Sequence, residues 1–381
     1  MPKKVAIVVC AWPPQGGGIG NNAYYHLREL KKIGYLAQAF TPKYPDLKNS
    51  KDLGVEFLPV TLPIGKAGFL FPLFKKLKDF DIIHFYYPFF GTDLIIWLFK
   101  TFNKNKKLIV HYEMDPIGQG WQKIIFLFYL KLFLPLLLKA SDKIAVLSWD
   151  NAQNSHLKNY LKKYQEKFVE LPNGVDTSIF QPQAKNNQLI TKYGLLESDQ
   201  LIIFVGGLDD QHFFKGVDIL LEAFTEVIKV RPTIKLMIIG EGNKRKEYES
   251  LVEELGLKKQ VIFTGWIDNE KLPDYYNLGD LFVLPSTAKT ESFGLVIAEA
   301  QACGLPAVVS NWPGSRLTLD NTRTGLLVKP NKPAALAEKL IFLLENPDLM
   351  KKMGELAVKR VQEKYAWSKI IKQINELYQK I

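Results

Sequence analysis

Apolar residues recur along the chain in two patterns: short continuous runs, and longer segments with apolar residues at helical spacing. Between Val5 and Ser148 the short runs are VAIVVC, YLAQAF, DIIHFYYP, KLIVHYE and KIAVLS. The segment NNAYYHLRELKKIG, which follows the first run, has the spacing of an amphipathic helix. Repetition of strand and helix predicts an α/β domain whose parallel sheet is covered by helices on both faces.

The pattern stops at residues 171–188, LPNGVDTSIFQPQAKNNQ, whose Pro, Asn and Gln content predicts a domain boundary. Beyond it the short runs return as LIIFVGG, IKLMIIG, QVIFTG, DLFVLPS, PAVVS and GLLV. Helices are predicted over 217–230, 245–255 and 272–278, and after Gly294. We therefore predict a second doubly wound sheet, with domains over 1–176 and 177–363. Because such sheets bind ligands at the carboxyl ends of their strands, we expect the site in a cleft between the domains.

The C-terminal segment, residues 334–381, has helical spacing throughout except at Asn346-Pro347. With 381 residues, 47% of them hydrophobic, the chain is long enough for two sizeable cores. The two cysteines, Cys10 and Cys303, lie far apart in apolar runs, which favours free thiols in a reducing compartment. The N-terminal apolar run is too short for a signal peptide, so we expect a cytoplasmic protein.

The net charge of +11 is concentrated in the first part of the chain. Residues 1–176 hold 24 Lys and Arg against 14 Asp and Glu, whereas residues 177–381 hold 26 against 25. The sequence has no zinc-ligand spacing, no ribonucleoprotein-type aromatic motif and no basic heptad region. We therefore expect no nucleic-acid partner and favour a different anionic surface.

A membrane surface is the favoured partner because the basic part of the chain also holds three long apolar stretches. These stretches are residues 68–78, 85–100 and 121–139. The third contains Lys123, Lys131 and Pro135, and a membrane-spanning helix tolerates central lysines poorly. An interfacial helix and a core helix with one apolar face both remain open. The interfacial helix predicts peripheral association with the inner face of the cell membrane.

The segment TESFGLVIAEAQACG, residues 290–304, follows a predicted strand and runs into a predicted helix. The free amides of Phe293, Gly294 and their neighbours are suited to bind a phosphate or diphosphate. Since Glu291 and Glu299 would repel a phosphate, they are better suited to accept hydrogen bonds from sugar hydroxyls on either side of it. Taken alone, two such glutamates are more often unrelated residues on a solvated helix face.

The same region resembles a known family. The segment ESFGLVIAEAQACGLPAVVSNWPG is similar to the Glu-x7-Glu signature of the GT4 family of retaining glycosyltransferases. Other segments that resemble family motifs, in the same order, are LPNGVDTSIF, FVGGLDDQHFFKGVDILLEAF, IIGEGNKRKEYESLVEELGL, VIFTGWI and TRTGLLVKP. The resemblance covers most of residues 170–335. It implies the GT-B fold, with an acceptor-binding Rossmann-like domain, a donor-binding Rossmann-like domain, and a C-terminal helix, 364–381, that crosses back to the first domain.

Carried over by position, the resemblance implies that Glu299 binds the ribose of a nucleotide-sugar donor and that Glu291 contacts the transferred sugar. It implies that Lys215 neutralises the diphosphate and that His111 lies beside the reacting carbon, so the expected catalytic residues are His111, Glu291 and Lys215. The other donor-binding positions are Gly17, Gly18, Gly207, His212, Gly265, Trp266, Ser292, Phe293, Gly294 and Leu295.

Simpler interpretations remain open for some of these residues: a surface lysine for Lys215, a core histidine for His111, and a core side chain for Trp266. One position departs from the family, which usually has an arginine where this chain has Gly207. His212 and Arg316 are the candidates to replace that arginine.

Two further motifs do not support other chemistries. Gly18, Gly20 and Ala23 fit G-x-G-x-x-A, but the glycines do not directly follow the strand, and the next strand ends without an acidic residue for a ribose. The dinucleotide fingerprint is therefore not met. The acidic pair in DFDIIH enters a strand and has no loop to hold a metal, so we expect no metal and no cofactor.

The motifs and the resemblance together predict a retaining, metal-independent hexosyltransferase that uses a UDP- or GDP-sugar. The expected acceptor is a hydroxyl of a glycan or of a lipid-linked intermediate in polysaccharide or glycolipid biosynthesis. A nucleotide-sugar epimerase of the same fold and a non-enzymatic membrane-surface binding protein remain as alternatives.

Overall fold

The computed structural model describes residues 3–13, 17–43, 54–64, 67–116, 121–196 and 198–381. The chain forms two compact units, one made of Met1–Gly174 with Trp367–Ile381 and the other of Val175–Ala366. The predicted domain bounds lie two or three residues from the bounds of these units. Each unit is built on a parallel sheet, as the repeated strand and helix pattern predicts.

The first unit contains a seven-stranded parallel sheet. Its strands are β1 (Lys4–Val8), β2 (Leu36–Pro42), β3 (Val55–Leu58), β6 (Ile82–Tyr87), β7 (Lys107–Tyr112), β8 (Lys143–Val146) and β9 (Phe168–Glu170), and a separate antiparallel pair is β4 (Thr61–Ile64) with β5 (Ala67–Phe69). The sheet order is β3-β2-β1-β6-β7-β8-β9. Its helices are α1 (Gly17–Lys32), α2 (Pro72–Lys76), α3 (Thr92–Phe102), α4 (Trp121–Leu132), α5 (Leu134–Ala140), α6 (Trp149–Gln153), α7 (Lys158–Leu161) and the C-terminal α16 (Trp367–Lys380).

Helices cover both faces of this sheet, so both faces are buried. Because successive side chains of a strand point to opposite faces, each strand contributes residues to two cores. On one face, Val5 and Ile7 of β1 belong to a core that includes residues of α1 and α16. On the other face, Ala6 and Val8 belong to a core formed with residues of α2, α3 and α5. The C-terminal helix α16 is thus an integral part of the first unit.

The second unit contains a six-stranded parallel sheet in the order β12-β11-β10-β13-β14-β15. Its strands are β10 (Leu201–Val205), β11 (Lys235–Ile239), β12 (Val261–Gly265), β13 (Leu281–Leu284), β14 (Ala307–Ser310) and β15 (Gly325–Val328). Its helices are α8 (Asn187–Lys192), α9 (Val217–Val230), α10 (Arg245–Glu254), α11 (Leu272–Tyr276), α12 (Leu295–Ala302), α13 (Ser315–Thr318), α14 (Pro333–Leu344) and α15 (Pro347–Lys364). The strand order reverses between β10 and β13, and open α/β sheets bind ligands at such a reversal.

Three local predictions were wrong. The first helix, predicted over the segment that starts at Asn21, already begins at Gly17, so Gly17 and Gly18 belong to its first turn. The C-terminal segment breaks a second time at Tyr365-Ala366, where the chain passes from the second unit to the first. The stretch 121–139 forms two helices, α4 and α5, because Pro135 opens the second one. Within the described ranges, no helix is both long and apolar enough to cross a membrane.

Candidate functional site

Three charged side chains with little exposed surface meet at the carboxyl end of the second sheet. Lys215 lies in a single turn before α9, Glu291 in the loop after β13, and Glu299 in the second turn of α12. Lys215 and Glu299 are 9% and 5% exposed, and the Glu291 side chain is 12% exposed. Burial of charged groups is costly unless they have partners. The structure therefore brings together three of the predicted site residues in one place.

Lys215 is held against the end of β13 by the backbone around it. Gly216 has a φ of +73°, and a Cβ at this position would lie 2.3 Å from the carbonyl oxygen of Pro285. The Thr287 amide also donates to the Phe214 carbonyl at 2.7 Å. From this turn the Lys215 Nζ donates to Glu291 Oε2. The surface-lysine interpretation of Lys215 is therefore wrong, because the side chain is buried in an ion pair.

Helix α12 begins directly after Gly294, as the sequence predicts. Gly294 is the N-cap residue of α12 and has a φ of +75°. Since glycine has no side chain, no side-chain hydrogen bond caps the first turn of α12. A Cβ on Gly294 would lie 2.4 Å from the Ile297 Cδ1. Of its predicted neighbours, Phe293 is buried, while Ser292 and Leu295 are half-buried. An uncapped helix start of this kind favours an anion.

Glu299 is a buried carboxyl group with an unusual pKa. Burial raises its pKa to about 7, although the hydrogen bond from the Tyr276 hydroxyl and the positive charge of Lys215 oppose this rise. The Tyr276 hydroxyl donates to Glu299 Oε2 at 3.1 Å. Tyr276 lies on α11, and nothing in the spacing of the sequence connects it with Glu299. It is a site residue that sequence reasoning missed.

The raised pKa of Glu299 predicts a pH dependence of stability. In the unfolded chain the carboxyl ionises near its usual pKa of 4.5, but in the folded protein it keeps its proton up to about pH 7. The contribution of the protonated Glu299 carboxyl to the free energy of unfolding is therefore complete below about pH 4.5. It is lost as the pH rises to about 7. Glu299→Gln abolishes this loss, so its free energy of unfolding relative to wild type should rise by roughly 2–3 kcal/mol between pH 5 and pH 8. Urea unfolding of both proteins at the two pH values measures this difference, and a constant difference would contradict it.

Gly207 follows β10, one of the two strands between which the order of the second sheet reverses. It lies directly beside the imidazole ring of His212. A Cβ at Gly207 would lie 2.6 Å from the His212 Nδ1. His212 Nδ1 lies 2.9 Å from both carboxylate oxygens of Asp209. Burial would raise the pKa of Asp209, but the His212 ring and the amides of Gln211 and His212 lower it. The other candidate for the missing arginine, Arg316, donates to Asn311 Oδ1 at 3.4 Å.

Gly265 and Trp266 lie at the end of β12. Gly265 has a φ of +78°, and its Cβ position is 3.3 Å from side-chain atoms of Arg245 and Glu241. Trp266 is 59% exposed. The interpretation of Trp266 as a core residue is therefore wrong, and its ring is free to stack on a ligand.

The three remaining predicted site residues lie in the first unit. Gly17 and Gly18 are exposed in the first turn of α1. His111 lies in β7, is 2% exposed and contacts His84 Nε2 through its Nδ1 at 3.1 Å. The His111 Nε2 lies 3.7 Å from the Oε1 of Glu113, a buried carboxylate that the sequence analysis missed. Burial raises the pKa of Glu113 to about 7, and hydrogen bonds from Asn22 and Asn173 oppose the rise.

Among the described residues, no group of three or more His, Cys, Asp or Glu side chains is arranged to hold a metal ion. The expected metal independence of the reaction stays a prediction.

The second unit contains a segment that matches the model of a known protein family. Residues 185–360, which lie within this unit, match the family model described as glycosyl transferases group 1. The match covers 176 of the 381 residues, just under half of the chain. The matched segment contains the Lys215, Glu291 and Glu299 cluster and the uncapped start of α12.

The chain is also similar to two proteins named as mannosyltransferases. The chain is 25% identical over 379 residues to the O-antigen chain mannosyltransferase C of Escherichia coli, covering 96% of this chain and 95% of that protein. It is 32% identical over 221 residues to the phosphatidyl-myo-inositol mannosyltransferase of Mycobacterium tuberculosis, covering 56% and 54%. Against three other curated relatives it spans about half of their length, 46% to 50%.

Solved structures show the fold of the chain. The crystal structure of Anabaena HepE in complex with UDP and glucose has a TM-score of 0.81 at 17% identity and covers 100% of both chains. At this identity the likeness shows the fold alone. The predicted GT-B fold is confirmed by it and by the two parallel sheets.

Proposed function

We propose that this protein is a group 1 glycosyltransferase of the GT4 family, a hexosyltransferase that moves a sugar from a UDP- or GDP-sugar to an acceptor hydroxyl with retention of configuration. The observation that carries the proposal is the meeting of Lys215, Glu291, Glu299 and the uncapped first turn of α12. A cation and a helix N-terminus suit a diphosphate, and flanking carboxylates suit hydroxyl groups. The UDP and glucose in the HepE complex and the mannosyltransferase activity in the name of the E. coli relative support the same substrate class.

The contacts of Lys215, Glu291 and Glu299 support the roles that we assign to them, and His111 takes the role that the family resemblance implies. Lys215 is paired with Glu291 in the free protein, and we assign it to the diphosphate when the donor binds. Glu291 is then released to accept hydrogen bonds from the transferred sugar. Glu299, which already accepts from Tyr276, has one carboxyl oxygen left for the ribose hydroxyls. His111 of the first unit is assigned a contact with the transferred sugar.

The proposed reaction breaks the bond between the anomeric carbon and a diphosphate oxygen. The acceptor oxygen bonds to the same face of that carbon, and an oxygen of the leaving diphosphate takes the acceptor proton. Lys215 and the α12 amides stabilise the negative charge that develops on the diphosphate.

A donor screen tests the proposal. UDP, GDP, ADP and their common sugars are added to the protein with and without divalent metal, and the rise in Tm is measured for wild type and Glu299→Ala. Stabilisation by one diphosphate sugar that is lost in the variant, with slow release of the unchanged sugar, supports a transferase. An epimerised product identifies an epimerase instead. If no nucleotide raises the Tm, the proposal fails and a non-enzymatic role takes its place.

We further propose that the acceptor is borne by an anionic membrane and that α4 contacts the membrane surface. One face of α4 packs inward, where Phe126 stacks on Phe90 with 4.7 Å between ring centroids. On the opposite face, Ile124 is 71% and Phe128 is 65% exposed, and Lys131 is exposed beside them. Large apolar side chains next to a lysine suit an interface between lipid headgroups and chains. The lipid in the name of the M. tuberculosis relative supports the same acceptor class.

The variant Ile124→Ser/Phe128→Ser should bind vesicles of phosphatidylglycerol and phosphatidylcholine at least about tenfold more weakly than wild type, because two large apolar side chains no longer enter the lipid. Lys131→Glu should weaken binding to the anionic vesicles by a smaller factor. Vesicle sedimentation measures both effects. Phe342→Ser, which removes a 46% exposed phenylalanine from the second unit, is the matched control. Equal binding of all variants would refute the contact through α4.

A further inference from the structure

Three histidines and two tyrosines form a continuous, buried chain of hydrogen bonds in the first unit. Tyr86 of β6 lies with its hydroxyl 2.9 Å from the Nδ1 of His26 on α1. The hydroxyl of Tyr378 on α16 lies 3.2 Å from His26 Nε2 and 2.8 Å from His84 Nδ1. His84 Nε2 lies 3.1 Å from His111 Nδ1. The chain of hydrogen bonds therefore begins at Tyr86 and ends at His111.

All three imidazoles are neutral at physiological pH. Burial lowers the pKa of His26 to about 3 and that of His84 well below 6.5, and the neighbouring histidines add to both shifts. Burial also lowers the pKa of His111 to about 3, although an interaction with the Leu171 backbone opposes the shift. Each ring therefore carries a single N–H, and the hydrogen bonds decide which nitrogen holds it.

Three arrangements of protons satisfy all four hydrogen bonds. In the first, Tyr86 donates to His26, His26 to Tyr378, Tyr378 to His84, and His84 to His111 Nδ1, so that His111 keeps its proton on Nε2. In the second, every bond is reversed, His111 donates from Nδ1, and its Nε2 has a free lone pair. In the third, the Tyr378 hydroxyl accepts from both His26 and His84, and His111 again donates from Nδ1. The second arrangement leaves the buried Tyr86 hydroxyl proton without an acceptor among the described residues, and the third does the same to the buried Tyr378 hydroxyl proton, so both are unfavourable.

The surroundings of His111, at the other end of this chain of hydrogen bonds, also favour the first arrangement. The His111 Nε2 is buried, has no well-formed hydrogen bond among the described residues, and lies 3.7 Å from Glu113 Oε1. Glu113 accepts hydrogen bonds from Asn22 Nδ2 at 3.0 Å and from Asn173 Nδ2 at 3.1 Å. A carboxylate that accepts from two amides attracts a third N–H and repels a lone pair.

We propose that Tyr378 and His84 are positioning residues that hold His111 with its proton on Nε2, so that His111 donates a hydrogen bond to a substrate oxygen and does not act as a base. The inference rests on the proposed function for the substrate contact of His111, whereas the tautomer follows from the hydrogen bonds alone. It gives the C-terminal helix a part in the chemistry of the site. A hydroxyl on α16, in the last turns of the chain, sets the proton on a strand residue 267 positions earlier.

The tautomer is measured directly in the wild-type protein. Histidine labelled with ¹⁵N in the ring is incorporated, and the resonances of the five histidines are assigned by single substitutions. The spectra are recorded at pH 8, above the pKa of Glu113 of about 7. We expect a protonated Nε2 and an unprotonated Nδ1 for His111. A proton on Nδ1 overturns the proposal, and this result is independent of any activity.

Tyr378→Phe removes the hydroxyl that orders the chain. We expect His111 to become a mixture of the two tautomers and kcat/KM for transfer to fall by about tenfold, with the affinity for UDP or GDP unchanged. Tyr35→Phe is the matched control, since Tyr35 packs edge-on against Tyr378 and donates to Asn375 at 2.8 Å outside the chain. The control should keep one tautomer and its activity within about twofold. An unchanged His111 spectrum in Tyr378→Phe contradicts the positioning role. If neither wild type nor either variant transfers sugar, but wild type shows the expected tautomer, the proposed function fails and the hydrogen-bond order stands.

Discussion

Replacement of Lys215 by methionine is expected to lower kcat/KM for sugar transfer by about 10²–10³-fold, since one buried charge that stabilises a transition state contributes on this scale. The Lys215 side chain is only 11% exposed, so solvent cannot replace its charge. Lys215→Met keeps the length of the apolar stem and removes the ammonium group. Initial rates at varied donor concentration measure the effect, with the fall expected mainly in kcat.

The ion pair with Glu291 calls for a control. Lys215→Met leaves a nearly buried carboxylate without its partner, which by itself destabilises the protein. The double variant Lys215→Met/Glu291→Gln removes both charges and should recover most of the stability without recovering activity. If the double variant is both stable and active within about tenfold of wild type, Lys215 serves only the fold.

Replacement of Gly216 by alanine is expected to lower the free energy of unfolding by about 2–4 kcal/mol. The left-handed backbone costs a residue with a Cβ about 1–2 kcal/mol, and the contact at 2.3 Å with the Pro285 carbonyl adds the cost of moving the strand end. The same movement displaces Lys215, so the Tm rise caused by the donor nucleotide should shrink. Urea unfolding and nucleotide titration measure the two effects.

Gly256→Ala is the matched control because it separates backbone strain from the collision. Gly256 has a φ of +70° and no atom within 4 Å of its Cβ position. We expect it to cost about 1 kcal/mol and to leave nucleotide binding unchanged. Equal destabilisation by Gly216→Ala and Gly256→Ala would show that the contact with Pro285 relaxes freely.

Local spacing along the sequence predicts most of the second unit. The helix predicted over 217–230 is α9, and the helix predicted after Gly294 is α12. Helix and strand spacing arises from contacts between residues a few positions apart, so a single sequence displays it. The wrong predictions concern the start of α1, the break between α4 and α5, where Pro135 opens the second helix, and the break at Tyr365-Ala366, where the chain passes from the second unit to the first.

The partners of the site residues were not predictable in the same way. The resemblance to known transferases points to Lys215, Glu291 and Glu299 but says nothing of Tyr276, Asp209 or Glu113. The Tyr276 hydroxyl meets Glu299 across 23 positions. Asp209 is only three residues from His212, but an Asp and a His at that spacing in a loop are too common to identify a pair.

The sequence by itself determined two doubly wound sheets and the position of the uncapped helix start at Gly294. It also identified the acidic residues of that segment. Each of these features depends on the order of neighbouring residues. Only the tertiary structure decided that Lys215 pairs with Glu291 across 76 positions and that Tyr378 meets His84 across 294 positions. Such contacts depend on strand order and on helix packing. Burial also belongs to the tertiary structure, and it is burial that shifts the pKa values of Glu299 and His111.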